Sequence, residues 1–308
     1  MAIKRESSRL ELLDGCEDKI QWIPASLQDI DLISEILPEV DVLIHTAAIV
    51  DFRKSKRDAL YECNTHLVAD LINACLRAEV KKVIHFSSIA AMGRAEESSL
   101  ITEKTPWKES RLNSDYGKSK YLGELEVWRG VAEGLEAVIF NPSLVIGAGF
   151  WKKSTPTILP QVEKGRAFFP TGSNGIVDVR DVAQAVVLAL EGAGANERFL
   201  LNGANLKYKE LFSTLAKYIN APIPSKPLSP KLLNLAVRIA RICESLNINI
   251  PFPSQQLQVL SAQSNYDGRK SEELLGITYR PVNETLRETA EAYNQSIVAG
   301  TSFGILPI

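Results

Sequence analysis

A strand-like run ends in two serines, Lys82-Val-Ile-His-Phe-Ser87-Ser88, and Tyr116-Gly-Lys-Ser-Lys120 begins 28 residues after Ser88. Tyr116 and Lys120 stand four positions apart, which puts both side chains on one face of a helix. A phenol titrates near pH 10, too high for easy proton exchange with a substrate oxygen at neutral pH. A neighbouring ammonium favours the phenolate and lowers that value. A hydroxyl at a strand's carboxyl end can hydrogen-bond the same oxygen as charge develops on it. One carbonyl could thus meet Ser88, Tyr116 and Lys120 together, and hydride chemistry there would need a nicotinamide. Ser87 remains a rival for the hydroxyl role.

The Tyr-x-x-x-Lys pair is a weak signal alone, since about every second chain of this composition carries it by chance. Tyr266-Asp-Gly-Arg-Lys270 matches as well. Context separates them: Tyr116 opens a helix after a strand ending in Ser-Ser, whereas the Asp-Gly after Tyr266 signals a turn. Tyr116 and Lys120 are the pair expected to do chemistry.

These residues need a scaffold, and the periodicity supplies one. Short apolar strands at Ile20–Pro24, Asp41–Thr46, Lys82–Ser87, Leu135–Asn141 and Arg198–Asn202 alternate with helical patterns at Leu27–Ile36, Lys56–Ala78 and Tyr116–Glu133. Continuous apolar runs between amphipathic helices predict a parallel sheet covered on both faces, an α/β fold. From about residue 204 the rhythm changes to helices separated by proline-rich joints. The expected organisation is a sheet domain over residues 1–203 and a smaller, mostly helical lobe over 204–308, with 147–175 contributing to it. In Leu232–Ile242, residues Leu232, Leu233, Leu235, Ala236, Ile239 and Ile242 fall largely on one face. That stripe predicts either core packing or the lining of a substrate cleft.

The chain has 308 residues, 45% of them apolar, and a formal charge of −2. Such a length buries a large core, and the balanced charge argues against a nucleic-acid partner. Cys16, Cys63, Cys75 and Cys243 are scattered, which suits reduced thiols in the cytoplasm. His45, His66 and His85 are too separated to predict a metal site. No apolar run reaches the roughly 18 residues of a membrane span, and no membrane partner is expected. The apolar tail Ser302–Ile308 is expected to pack on the body or on a twin subunit.

The ordered set of motifs resembles the extended short-chain dehydrogenase/reductase family, also called the NAD-dependent epimerase/dehydratase family. Its carriers are Asp41-Val-Leu-Ile-His-Thr-Ala-Ala48, Asn64, Ser87-Ser88-Ile-Ala-Ala-Met-Gly93, Tyr116-Gly-Lys-Ser-Lys120, Asn141-Pro-Ser-Leu-Val-Ile-Gly147 and Gly175-Ile-Val-Asp-Val-Arg-Asp-Val-Ala183. Tyr266-Asp and Glu273-Leu-Leu-Gly276 add a weaker match. The resemblance implies a Rossmann-like doubly wound sheet and assigns roles. Ser88 would hydrogen-bond the substrate oxygen, Tyr116 would be the acid/base, and Lys120 would hold the nicotinamide ribose. Ala47 and Ala48 would border the cofactor, or serve as small packing residues. Pro142, Ser143, Leu144 and Val145 would lie along the nicotinamide. Lys4 and Arg5 would sit where a basic residue meets a 2′-phosphate, suggesting NADP over NAD, or form a solvated basic terminus. Within the family, Asn141-Pro-Ser and Val177-Asp-Val-Arg-Asp181 look like the branch of dihydroflavonol reductase, cinnamoyl-CoA reductase and 3β-hydroxysteroid dehydrogenase. An apolar carbonyl or alcohol is the implied substrate. The alternatives are a nucleotide-sugar epimerase or dehydratase and a non-catalytic binding module. Family members often dimerise through the long helices after their fourth and fifth strands, so a homodimer is implied too.

Two departures stand out. The family opens with a strand, a glycine loop and a helix that cradle the pyrophosphate, roughly 25 to 30 residues that would precede the opening Ile-Lys-Arg. No such unit occurs in the 308 residues, and Ala25-Ser26 replaces the usual Gly-Asp. The expectation is an N-terminally incomplete version of the family's domain with impaired cofactor binding. Its Asp41–Thr46 strand would form an open sheet edge or pair with Ile20–Pro24.

Overall fold

The computed structural model describes residues 1–13, 15–93, 100–110, 113–165, 168–246, 248, 250 and 252–307. Strands β1 (Ala2–Lys4) and β2 (Trp22–Pro24) pair in parallel with each other. Helix α1 (Ile30–Ile36) is capped by the Asp29 carboxylate and leads to β3 (Val42–His45). One long helical stretch follows: α2 (Arg57–Tyr61), a π turn over Glu62–His66, and α3 (Leu67–Arg77). Strand β4 (Lys82–Phe86) then carries the chain to Ser87 and Ser88. Strand β5 (Leu100–Ile101) precedes α4 (Asp115–Ala132), after which β6 (Glu136–Pro142) and β7 (Leu144–Ile146) follow almost without a break.

The remaining elements alternate: α5 (Ile158–Glu163), β8 (Phe168–Phe169), β9 (Ser173–Asp178), α6 (Val179–Leu190), β10 (Glu197–Leu201), β11 (Ala204–Lys207) and α7 (Tyr208–Tyr218). Strand β12 (Lys226–Pro227), helices α8 (Pro230–Ser245) and α9 (Ser254–Ser261), strand β13 (Asn265–Tyr266), α10 (Arg269–Leu275) and α11 (Val282–Ala299) complete the chain.

The central sheet is parallel with the order β10-β6-β4-β3, and helices cover both faces, as the apolar runs predicted. On one face Val83, Ala137 and Ile139 pack against Ile33, Leu71, Ile72 and Val127 from α1, α3 and α4. On the other, Ile84, Val138, Phe140 and Phe199 pack against Ala185 and Ala189 of α6. A second sheet, β11-β9-β7, lies under α5, α7 and α11 with its own core around Leu159, Leu211, Leu215 and Leu286. The sequence patterns missed that sheet, because its strands alternate with loop-like polar residues and β7 starts directly after Pro142 and Ser143.

Strand β3 forms the edge of the central sheet, and Ile44 on it is 42% exposed. Strand β2 pairs with β1 and not with β3, so the crossover to β3 considered from the sequence does not occur. The long helix also departs from a plain 3.6-residue period. Its π turn holds Asn64, and such turns aim side chains that a regular helix would bury elsewhere. Gly123 explains how close α4 comes: a Cβ there would lie 2.0 Å from the Asn64 carbonyl oxygen.

Two further expectations resolve here. The stripe on α8 is divided: Leu233 and Ala236 line a cavity, while Leu232, Leu235, Ile239 and Ile242 are exposed, so it is not core. The tail packs on the body, with the Phe303 ring edge-on to Phe150 at 6.0 Å and the Gly304 amide donating to Gly149 (3.0 Å). No helix among the described residues is long and apolar enough to cross a membrane.

Candidate active site

The carboxyl end of β4 delivers Ser87 and Ser88. Ser88 caps the short turn over Ile89–Ala91, its Oγ accepting from the Ala90 amide (3.1 Å). Asn141, at the end of β6, donates from Nδ2 to the Ser88 carbonyl (3.0 Å) and to Glu124 Oε2 (2.9 Å). Arg198 pairs with the other oxygen of Glu124 (2.8 Å). The end of the serine strand is therefore tied to its neighbour and to α4.

Helix α4 starts at Ser114, whose Oγ accepts from the Gly117 amide (3.0 Å), so Tyr116 lies in the first turn. That turn stays close to the serines because Gly117 faces the Ala90 carbonyl, where a Cβ would sit 2.6 Å from the oxygen. Ser119 Oγ donates to the Tyr116 carbonyl (2.8 Å) and accepts from Asn64 Nδ2 (3.0 Å). Asn64 also exchanges hydrogen bonds with the Ile49 amide and carbonyl, both at 2.9 Å, and so fixes the loop after β3. Gln255 of α9 grips the start of α4: its Oε1 accepts from the Asp115 amide (3.0 Å) and its Nε2 donates to the carboxylate (2.6 Å).

The result is a cavity of about 1100 Å³ whose wall carries Ser87, Ser88, Tyr116 and the whole run Pro142, Ser143, Leu144 and Val145. The rest is largely apolar and comes from α5, α8, α9 and the loops beside them. The Ser88 side chain is near enough to the Tyr116 hydroxyl to favour its phenolate, and the Phe52 ring meets Tyr116 edge-on at 5.9 Å. The Oγ atoms of Ser87 and Ser143 are buried behind this wall with no hydrogen-bond partner among the described residues.

Lys120 lies below the wall, almost fully buried, with Nζ donating to the Phe86 carbonyl (2.7 Å). Burial drops its pKa to about 8, against the opposing pull of Cys63 and Glu124. Burial also raises the Tyr116 phenol above its ordinary value, and the nearby Ser88 side chain offsets that only in part. The sequence anticipated that Lys120 would lower the phenol. The ammonium instead turns toward Phe86, and desolvation dominates.

Arg5, Ala47 and Ala48 do not join the cavity wall. Arg5 is exposed just beyond the carboxyl end of β1, close enough to favour the Cys63 thiolate electrostatically. Lys4, by contrast, sits over the Trp22 ring at 5.5 Å. Ala47 is half-buried and Ala48 exposed, both directly after β3. Sequence reasoning also missed three features. His45 and His85, paired across β3 and β4, face each other with Nδ1 atoms 3.0 Å apart, so one ring must donate and the other accept. Burial and the Lys120 charge hold both neutral, His45 at about 3 and His85 well below its ordinary value. The parallel register of two His-bearing strands could have signalled that pair. Asp51 and Arg53 line the cavity as a mutual ion pair (2.6 Å), and Tyr266 lines it too. Lys270, its sequence partner, is held far along β10 by Glu197 and the Arg198 carbonyl.

The residues fit the nicotinamide-ribose end of a dinucleotide. Ser143 offers an unpartnered hydroxyl on the run expected to lie along the ring, and Lys120 offers a buried ammonium behind Tyr116.

The chain is similar to several known proteins. The model of the NAD dependent epimerase/dehydratase family matches residues 3–201. A putative dihydroflavonol 4-reductase of Synechocystis is 27% identical over 297 residues, covering 93% of this chain and 85% of the relative. Sterol demethylase protein B of Methylococcus capsulatus is 29% identical over 237 residues, covering 75% and 70%. The crystal structure of gox2253 superposes with a TM-score of 0.80 at 26% identity, covering 95% of this chain and 89% of that one.

Proposed function

Because the chain belongs to the NAD-dependent epimerase/dehydratase family, we propose that it interconverts a carbonyl and a secondary alcohol on a bulky apolar substrate, with NADP as cofactor. The cavity carries this reading: it brings Ser88 and Tyr116 to one wall and is otherwise largely apolar. Among the described residues its charged lining is Asp51 and Arg53, which neutralise each other through a bidentate contact of 2.6 to 3.1 Å. A sugar diphosphate would need a guanidinium or ammonium free to take its charge, and Arg53 is committed. The dihydroflavonol reductase and sterol demethylase relatives bear names that also speak for ring-bearing apolar substrates. Arg5, exposed beyond the end of β1, supports NADP, since a guanidinium there suits a 2′-phosphate.

In the reducing direction Tyr116 would donate its proton to the substrate oxygen while Ser88 hydrogen-bonds the same oxygen. The bound nicotinamide would supply the hydride. The phenolate left on Tyr116 lies in the first turn of α4, where the helix N-terminus favours negative charge. Phe52 against the ring limits access of water to it. Pro142 to Val145 and Lys120 would hold the nicotinamide and its ribose. Oxidation runs the same proton movement backward, with the phenolate as base.

The test is turnover of a panel of ring-bearing ketones and aldehydes with NADPH, by the intact chain and by Tyr116→Phe. The variant should lose about 10²–10⁴-fold in kcat with NADPH affinity unchanged. Turnover of a nucleotide sugar in place of the ketones, or full activity in Tyr116→Phe, would overturn the reading.

A further inference from the structure

Helix α8 has two apolar faces. Leu233 and Ala236 point into the cavity, and Val237 and Ala240 are buried. On the opposite side Leu232, Leu235, Ile239, Ile242 and Leu246 are 39% to 64% exposed. At about 100° per residue these five positions form one stripe within roughly 80° of arc, an arrangement that solvent alone does not favour. Lys231, Arg238 and Arg241 are exposed along one flank of the stripe. Among the described residues none of the three has a carboxylate within ion-pair distance. The one acid on the helix, Glu244, is taken up by the Ser254 amide (2.7 Å) and hydroxyl (2.8 Å).

We propose that α8 is a membrane-docking helix that lies in the plane of an anionic lipid surface and opens the cavity toward it. Spanning and lying on a bilayer are different physical claims. A 16-residue helix with three basic residues is too short and too charged to cross, yet a basic flank beside an apolar stripe suits the headgroup boundary. The sequence reading, which looked for spans, expected no membrane partner. Charge selects lipid over a second copy of the chain. In an antiparallel two-fold dimer the same patch meets itself and the basic flanks come to one side, with the helix's own acid, Glu244, already taken. The helix also continues into the cavity wall, and exposed Ile223 stands between Pro222 and Pro224, which line that wall. An apolar substrate dissolved in lipid would reach the cavity without crossing water. The docking surface itself stands on α8 and holds whichever substrate the cavity takes.

Flotation of the full chain with vesicles tests this, using phosphatidylcholine alone and phosphatidylcholine mixed with phosphatidylglycerol. The chain should float with the mixed vesicles at low salt. At about fivefold per basic residue, Arg238→Gln with Arg241→Gln should weaken that binding roughly 25-fold. Ile239→Glu with Ile242→Glu should abolish it while circular dichroism and NADPH affinity stay as in the parent. Failure of the folded parent to float with phosphatidylglycerol would overturn the proposal. So would a dimer, seen by sedimentation equilibrium, that the Ile239→Glu, Ile242→Glu variant converts to monomer.

Discussion

Lys120 carries a charge in a place that disfavours it, and replacing it with methionine turns that into a measurement. Its pKa falls from 10.5 to about 8, with burial as the leading cause. The unfolded chain therefore binds more protons at this position than the folded chain between pH 8 and pH 10.5. Stability rises with pH wherever that holds, so the lysine destabilises most below pH 8 and is relieved as pH climbs toward 10.5. At 1.36 kcal/mol per pKa unit the cost is about 3 kcal/mol at pH 7, about 2 at pH 9 and under about 1 at pH 10. Methionine removes that cost and also the hydrogen bond from Nζ to the Phe86 carbonyl (2.7 Å). Orphaning the carbonyl costs about 1–3 kcal/mol, but this offset is the same at every pH. The expected signature is thus a swing. Measured by urea unfolding, the stability of Lys120→Met relative to the parent should fall by about 2–3 kcal/mol between pH 7 and pH 10. Other groups that titrate in this range cancel in the difference. A difference curve flat across that range would refute the claim that Lys120 is buried as an ammonium. Turnover should be lost in the variant at every pH, so stability and activity part company at this residue.

Other perturbations address the parts around the site. Glu124→Gln leaves Arg198 without its buried carboxylate and weakens the hold on Asn141, so it should destabilise by about 3–5 kcal/mol. Because Asn141 also holds the Ser88 carbonyl, kcat should fall more than KM rises; a variant with parental unfolding midpoint and kcat would contradict the tie between β6 and the serine strand. Asp51→Asn frees the Arg53 guanidinium at the cavity wall. It should raise KM for an apolar ketone roughly tenfold and improve binding of an anionic analogue; unchanged selectivity would show that the pair does not face the substrate.

Much of the architecture could be read from the sequence because it rests on local patterns. The buried run Lys82–Phe86 and the capped helix after Ser114 each announce themselves within a dozen residues. The pairing of Ser88 with Tyr116 also followed from spacing along elements of known type, whereas Pro142 to Val145 came only with the family resemblance. What escaped depends on register between distant strands. Nothing local says that His45 and His85 come opposite each other, or that β9 pairs with β7 and β11 to form a second sheet. The side-chain direction of Lys120 escaped as well. A four-residue spacing puts it on the face of Tyr116, but the nearest acceptor for its proton is the Phe86 carbonyl, and that is set by how α4 packs on β4. The α8 stripe illustrates a different limit. Periodicity finds an apolar face without saying what it meets, and here the two candidate meanings, core and cleft, each missed the exposed side.

The polar contacts around the cavity divide into two kinds. The groups that could touch a substrate, the hydroxyls of Ser87, Ser88, Tyr116 and Ser143, stand on strand ends and one helix N-terminus. The groups that hold those elements in place are amides. Asn64 joins the loop after β3 to α4, Asn141 joins β6 to the end of β4, and Gln255 joins α9 to the start of α4. An amide presents a donor and an acceptor at once and carries no charge, so it can bridge two buried backbone segments without the desolvation cost of an ion. It also adds no charge to those already near Lys120, of which Glu124 is one. A carboxylate at Asn64 would add a second charge close to Lys120 and hold that ammonium charged at higher pH. Asparagine fixes the loop and adds no charge beside the lysine.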